Sequence, residues 1–207
     1  MKNSYMYITV AMVAAIIGWL AFQQMKQVEQ PEYALYYQQP RGIKPFELTD
    51  HHGHIFSKAQ LKDKWSFVFL GYTSCPDVCP TTLQNLGFIY DQLKAIASNS
   101  QVLLVSVDPN RDTQEKLSQY IPYFNPEFIA LRGEHGALFP FARNLGLMYA
   151  ISDEGEGYLV DHSASIVLIN PNGQIASIFK PEQAVGKVPA IDGDKLVSDY
   201  QKIVKLY

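Results

Sequence analysis

Cys75 and Cys79 are the only two cysteines in the chain, and they stand four residues apart. A largely apolar segment, residues 65–70, comes just before them, and apolar residues at helical spacing follow from residue 83 onward. This pattern predicts a turn between a buried strand and a helix, with the pair at the amino-terminal end of the helix, where a thiolate is stabilised. Two such sulfurs can bind a soft metal ion, exchange between dithiol and disulfide, or form a small structural disulfide.

The metal that such a pair would bind depends on the other ligands. Structural zinc normally takes four ligands, and the sequence shows no second pair of that kind. Two thiolates and one imidazole suit copper instead, because Cu(I) accepts few, soft ligands. His51, His52 and His54 fall in a predicted hairpin turn and His135 at a predicted helix start, where polar residues are expected anyway. His162 stands in an apolar stretch, where a hydrogen-bonded core histidine and a metal ligand are equally good interpretations.

The elements around the cysteine pair alternate between strands and helices. The predicted order begins with a hairpin at residues 46–56. Strands at 65–72, 101–107 and 128–131 then alternate with helices at 81–97, 113–120 and 134–147. A second hairpin, with one strand at 158–170 and the other at 174–179, precedes an amphipathic helix at 196–204. Such an order predicts an α/β fold with a central mixed sheet flanked by helices. With a cysteine pair opening the first helix of the domain, it is the order of the thioredoxin-like fold.

The amino-terminal region is predicted to lie outside this domain. Residues 5–22 are uncharged and apolar, and as a helix these 18 residues would reach roughly 27 Å, close to the thickness of a bilayer core. We interpret them as a transmembrane anchor rather than a signal peptide, because the segment ends without a small-x-small cleavage site. Residues 1–4 are a short tail, the polar residues 23–42 a tether, and residues 43–207 the folded domain. Flanking charges do not decide the orientation of the anchor.

Composition and charge exclude some classes of function. The chain has 207 residues and a net charge of −3 with no basic cluster, so nucleic acid is not an expected partner. A peroxidase of the thioredoxin superfamily typically has Thr three positions before its reactive cysteine, and Tyr72 occupies that place. Since no other catalytic group is evident, the sequence favours a metal-handling protein over a classical enzyme.

Three segments, in this order, resemble those of the Sco/SenC family. They are residues 75–83 (CPDVCPTTL), 106–113 (SVDPNRDT) and 158–164 (YLVDHSA). Members of this family are membrane-anchored thioredoxin-fold proteins that assist the assembly of copper centres in cytochrome c oxidase. The resemblance covers roughly residues 43–205, and three motifs in the right order make it far more specific than the cysteine spacing alone.

Carried over by position, the resemblance implies roles for five residues. Cys75, Cys79 and His162 would bind one copper ion per chain, as Cu(I), Cu(II) or both. Asp108 would lie near the site and tune it or help a partner to dock. Asp161 would hydrogen-bond to the imidazole and orient it, with a solvated carboxylate as the equally good alternative. The role of the three histidines in the first hairpin stays unassigned.

The resemblance also implies a function and a location. The protein would be a copper chaperone that delivers copper to the binuclear CuA site of cytochrome c oxidase subunit II. Its folded domain would face the periplasm from a bacterial inner membrane. The alternative is a thiol–disulfide reductase that keeps the cysteines of the oxidase site reduced, and the two functions can coexist. Other partners would be copper chaperones that supply the metal or thiol–disulfide oxidoreductases.

Overall fold

The computed structural model describes residues 2–24, 29–151, 157–182 and 189–207. Its helices are α1 (Lys2–Gln24), α2 (Val78–Ile96), α3 (Gln114–Tyr120), α4 (His135–Leu145) and α5 (Gly193–Leu206), with short 3-10 turns at Lys58–Leu61 and Ile121–Tyr123. Its strands are β1 (Leu35–Gly42), β2 (Glu47–Asp50), β3 (Ile55–Ser57), β4 (Trp65–Gly71), β5 (Ser100–Ser106), β6 (Ile129–Arg132), β7 (Tyr149–Ile151), β8 (Val160–His162), β9 (Ile166–Ile169) and β10 (Gln174–Phe179).

Within these ranges, one mixed sheet contains eight strands in the order β1-β10-β9-β4-β5-β6-β2-β3. At its centre β4 and β5 run parallel, while β9 is antiparallel to both β4 and β10. β4 and β5 are buried along their whole length, as expected for strands covered on both faces. The central mixed sheet with flanking helices confirms the predicted α/β, thioredoxin-like fold.

Two hydrophobic cores lie on opposite faces of this sheet. Because side chains alternate along a strand, Phe67 and Phe69 of β4 pack with α2 and α5 on one face. Val68 and Leu70 pack with α4 on the other face, in the core that also contains Cys79. The buried cysteine therefore lies in a close-packed environment in which its sulfur has little room to move.

The prediction that residues 23–42 form a tether is wrong for residues 35–42, which form strand β1 of the folded domain. Leu35–Gly42 pairs antiparallel with β10 at the edge of the sheet. Just before it, the buried carboxylate of Asp199 on α5 accepts hydrogen bonds from the backbone N–H groups of residues 32–34, at 2.7 to 3.1 Å. The folded domain thus begins near residue 32. The sequence conceals this strand because it is an edge strand with mixed exposure that contains Pro40.

Helix α1 covers the predicted anchor, residues 5–22. The large apolar side chains described along it are exposed: Tyr5, Tyr7, Ile8, Val10, Met12, Val13, Ile16, Ile17 and Trp19. Within the described part of the chain, no helix reaches the combination of length and hydropathy needed to cross a membrane. The anchor stays a prediction.

Candidate metal centre

The two cysteines lie where β4 passes into α2. Cys75 is half-buried in the connecting loop, whereas Cys79 is 1% exposed in the first turn of the helix, which begins three residues earlier than predicted. The loop turns back on itself through a hydrogen bond from the Cys75 backbone N–H to the carbonyl oxygen of Tyr72, at 3.2 Å. No disulfide joins the two cysteines. The predicted strand-to-helix turn is confirmed, and it presents one sulfur at the surface and one beneath it.

His162 lies at the end of β8, in a segment that was predicted to continue as one strand. Instead β8 pairs with β7 in a separate two-stranded sheet, in which His162 is opposite Tyr149. The ring nitrogen Nδ1 lies 3.2 Å from the carbonyl oxygen of Ser163, and Nε2 lies 3.3 Å from the sulfur of Cys79. When Nδ1 carries the proton and donates it to that carbonyl, Nε2 is left with a lone pair directed at the cysteines.

The three predicted copper ligands form one group. The sulfurs of Cys75 and Cys79 and a ring nitrogen of His162 all lie within 4.8 Å of one another. Ligands about 2.0–2.3 Å from one ion in a trigonal arrangement would be about 3.5–4 Å apart. Movements of less than about 1 Å would therefore close the group around a single ion. Two sulfurs and one nitrogen, with no fourth ligand in the described residues, suit Cu(I) better than structural zinc.

The two thiols differ strongly in acidity. The pKa of Cys75 is lowered to about 3, chiefly by a hydrogen bond with Cys79, with further help from His162 and from the backbone N–H groups of Cys79 and Asp77, against the opposing effect of burial. The pKa of Cys79 is raised, because its proton is held in the hydrogen bond with Cys75 and because burial and the nearby Cys75 charge disfavour a second thiolate. The metal-free pair thus holds one thiolate and one thiol, and binding a metal through both sulfurs releases the remaining proton.

Asp108 follows β5 and is fully buried beside the His162 strand. Its carboxylate accepts hydrogen bonds from Nε of Arg111 and from the hydroxyl of Tyr158. The Arg111 guanidinium also lies 3.7 Å from the centre of the Tyr158 ring. A buried carboxylate with a guanidinium partner can tune or position the site, but it offers no surface to a docking partner. The geometry therefore favours the first of the two predicted roles.

Asp161 does not contact the imidazole. It is exposed and pairs with Ala150, so it lies on the face of β8 opposite to its neighbour His162. In the described part of the chain, no hydrogen bond joins its carboxylate to that ring. The carbonyl of Ser163 takes the orienting position instead. The alternative prediction, that Asp161 is a solvent-exposed carboxylate, agrees with the structure.

The other four histidines lie outside the three-ligand group. His51 is buried, and its Nδ1 accepts a hydrogen bond from the backbone N–H of Ala130 at 3.3 Å. Burial, with a contribution from His52, lowers its pKa and favours the neutral ring. His52 and His54 are exposed in the hairpin turn, and His135 begins α4. Among the described residues, none of these four joins a group that could hold a metal ion.

Sequence reasoning missed the positioning role of Tyr72. Its hydroxyl accepts a hydrogen bond from the backbone N–H of Val160 at 3.3 Å, and its ring meets that of His162 edge-on at 5.9 Å. The Arg111 guanidinium lies 5.6 Å from the centre of the same ring. Tyr72 therefore links the cysteine loop to the histidine strand. The sequence shows a large aromatic residue, Tyr72, directly after an apolar strand. It does not show which distant residues Tyr72 would contact.

Comparison with known proteins gives consistent matches. The model of the SCO1/SenC family matches residues 36–191. A protein of Stutzerimonas stutzeri whose name refers to copper binding is 38% identical over 137 residues, which cover 65% of this chain and 67% of the relative. The crystal structure of Arabidopsis thaliana ScoI with copper bound superposes with a TM-score of 0.71 at 29% identity, over 80% of this chain and 99% of that one.

The similarity to a third protein shows only that the two chains share a fold. BsSco, a member of the Sco family of cytochrome c oxidase assembly proteins, superposes with a TM-score of 0.63 at 21% identity, over 84% of this chain and 99% of its own.

Proposed function

The chain belongs to the SCO1/SenC family, and on that premise we propose that it is a membrane-anchored copper chaperone for the CuA site of cytochrome c oxidase subunit II. The observation that carries the proposal is the convergence of two sulfurs and one ring nitrogen within 4.8 Å. Copper is the cargo, one ion per chain. The choice of copper as the metal is supported by the soft ligand set and by the copper bound in the Arabidopsis relative.

The position of the site suits a protein that gives its metal away. Transfer requires the acceptor's ligands to replace those of the donor one at a time, so at least one donor ligand must be reachable. Cys75 lies in a loop at the edge of the domain and is half-buried, whereas Cys79 is covered. An incoming thiolate would reach copper on the Cys75 side, and Cys79 and His162 would be released afterwards.

The acceptor and the location are further parts of the proposal. A role in oxidase assembly is supported by the similarity to BsSco, a member of the Sco family of cytochrome c oxidase assembly proteins. The apolar side chains exposed along α1 would be covered by lipid if residues 5–22 anchor the protein. We place the folded domain on the periplasmic side of a bacterial inner membrane, where it would meet subunit II and a copper supplier.

A thiol–disulfide reductase is a second candidate, favoured by the unequal thiols. The Cys75 thiolate would attack a sulfur of an acceptor disulfide, form a mixed disulfide and release one acceptor thiolate. Cys79, losing its proton, would then attack the sulfur of Cys75 and release the second acceptor thiolate. Two electrons pass to the acceptor, and the Cys75–Cys79 disulfide formed needs an external dithiol to regenerate the pair.

Copper titration of the full chain in detergent tests the first function. The reduced protein is titrated with Cu(I) and with Cu(II), each against a chromophoric chelator, and again after the pair is oxidised. We expect one ion per reduced chain and none after oxidation, because a disulfide removes two of the three ligands. Failure of the reduced protein to retain either ion would contradict the chaperone proposal.

The variant His162→Ala separates the two functions. It removes one copper ligand but leaves both thiols, so copper affinity should collapse while dithiol exchange with a test disulfide persists. His54→Ala is the matched control, because that histidine is exposed and outside the ligand group. Copper binding equal to that of the control would show the three-ligand site to be wrong.

A further inference from the structure

The loop between β5 and α3 lies between the two segments that carry the metal ligands. It contains Asp108 and Asp112, whose side chains are both 0% exposed. Burying a carboxylate costs free energy unless it is paired and hydrogen-bonded. The hydrogen-bond partners of Asp108 and Asp112 therefore identify the segments that the loop holds in place. The two carboxylates have different partners, one set on each side of the site.

Asp112 holds the cysteine loop. Its carboxylate accepts hydrogen bonds from both the backbone N–H and the hydroxyl of Thr73, two residues before Cys75, with the N–H at 3.0 Å. The hydroxyl of Ser106, at the end of β5, donates to the same carboxylate at 2.6 Å. Lys116 lies 3.9 Å away on α3 and partly balances the charge. Thr73 is thereby fixed to the end of a buried central strand.

Asp108 holds the histidine segment. The Tyr158 hydroxyl, two residues before β8, donates to this carboxylate, and Arg111 binds it while packing its guanidinium on the Tyr158 ring. The same guanidinium approaches Tyr72, whose hydroxyl accepts the N–H of Val160. The strand that ends in His162 is thus fixed at its start by side chains of the β5–α3 loop.

The loop itself is well suited to be a rigid support. Its first residue, Val107, donates a backbone hydrogen bond to the carbonyl of Gly71 at 3.0 Å, which continues the pairing of β5 with β4. The backbone N–H of Asp112 then donates to the carbonyl of Asp108 at 2.9 Å. This turn sets the distance between the two carboxylates, and therefore the distance between Thr73 and Tyr158, the residues that they bind.

We propose that the β5–α3 loop is the positioning frame of the metal site, in which Asp112 holds the cysteine loop through Thr73 and Asp108 with Arg111 holds the histidine strand through Tyr158. The proposal rests on the metal-binding function proposed above. In the frame, the two carboxylates set the separation of the Cys75 loop and the His162 strand before metal arrives.

Two single-hydroxyl deletions test the two halves. Thr73→Val removes the side-chain hydrogen bond to Asp112, and Tyr158→Phe removes the one to Asp108. Tyr123→Phe is the control, because Tyr123 is 89% exposed. For each full-length variant in detergent we would measure Cu(I) affinity by chelator competition, the dithiol/disulfide potential of the cysteine pair in glutathione buffers, and the melting temperature.

The frame predicts different results for the two sides. Residues that orient metal ligands typically change affinity by about 10–100-fold when they are altered, so both variants should weaken Cu(I) binding by about tenfold or more. Tyr158→Phe should change the potential less than Thr73→Val does, because the histidine strand reaches the cysteine pair only through the contact of His162 with the sulfurs. Thr73→Val should change the potential as well, since its hydrogen bond fixes the loop that must close the disulfide.

The outcomes are distinguishable from a failure of the proposed function. Wild-type copper affinity in both variants would overturn the frame, and so would equal shifts of the potential in both, which would indicate general destabilisation. If Tyr158→Phe does not fold, Arg111→Lys tests the same side while keeping the charge. If the wild-type protein binds no copper, the metal-binding proposal fails, and an unchanged potential in Thr73→Val would still overturn the cysteine half of the frame.

Discussion

The packing behind the metal site is close at Gly71, and replacing this glycine with alanine should damage stability and copper binding together. Gly71 is the last residue of β4. A Cβ added there would lie 2.8 Å from Cδ1 of Leu104 and 3.0 Å from the sulfur of Cys79. Nonbonded carbons prefer about 3.5–4.0 Å, so the contact with Leu104 is too short by about 0.7–1.2 Å. Both neighbours are buried and cannot turn into solvent.

The size of the effect follows from this overlap. An extra methyl group in a close-packed core typically costs about 1–3 kcal/mol. For a chain of this size each kcal/mol lowers the melting temperature by about 2–4 °C, so Gly71→Ala should melt roughly 2–12 °C below the wild type. If the added methyl group displaces the sulfur of Cys79 or restricts its movement, the three ligands close less readily around one ion, and Cu(I) affinity should fall by about tenfold.

Thermal unfolding of the metal-free protein and Cu(I) competition with a chelator measure the two effects. Gly42→Ala is the matched control, because a Cβ there meets nothing within 4 Å. A Gly71→Ala protein that melts and binds copper like the Gly42→Ala protein would refute the argument, since the added methyl group would then be accommodated at no cost. A lower melting temperature with unchanged affinity would show that Leu104 alone absorbs the methyl group.

Three further predictions concern the thiols and the start of the domain. Copper binding lost on oxidation of the pair should return fully on reduction, and a spectrophotometric titration that fails to recover would contradict a reversible disulfide. Because the pKa of Cys75 is lowered to about 3, its alkylation rate in the metal-free protein should stay nearly constant from about pH 8 down to about pH 5; an unperturbed thiol would instead slow about tenfold per pH unit, and mass spectrometry distinguishes the two. Asp199→Asn should destabilise the protein to urea by about 1–3 kcal/mol without changing copper affinity, because it weakens the hydrogen bonds to residues 32–34. Unchanged urea unfolding would argue against that contact.

The elements that the sequence predicted best are those whose burial is uniform or strictly periodic. Strands β4 and β5 are rich in apolar residues and buried along their whole length, and α5 has apolar residues on one side only, so their local patterns identify them. Strand β1 was missed because it is an edge strand whose exposed and half-buried residues follow no period. The division of residues 158–170 into β8 and β9 was missed because it depends on β7, a partner that the segment itself does not reveal.

The sequence by itself determined the chemistry available to this protein. Two soft sulfurs at the start of a helix, and a histidine in an apolar segment, follow from residue types and local spacing. Only the tertiary structure decided which groups meet: His162 lies 83 residues from Cys79, yet its Nε2 is 3.3 Å from that sulfur. It also assigned the imidazole contact to the carbonyl of Ser163 rather than to Asp161. Local patterns arise from neighbours along the chain, whereas this site is formed by side chains and hydrogen bonds between distant segments, which become neighbours only when the sheet assembles.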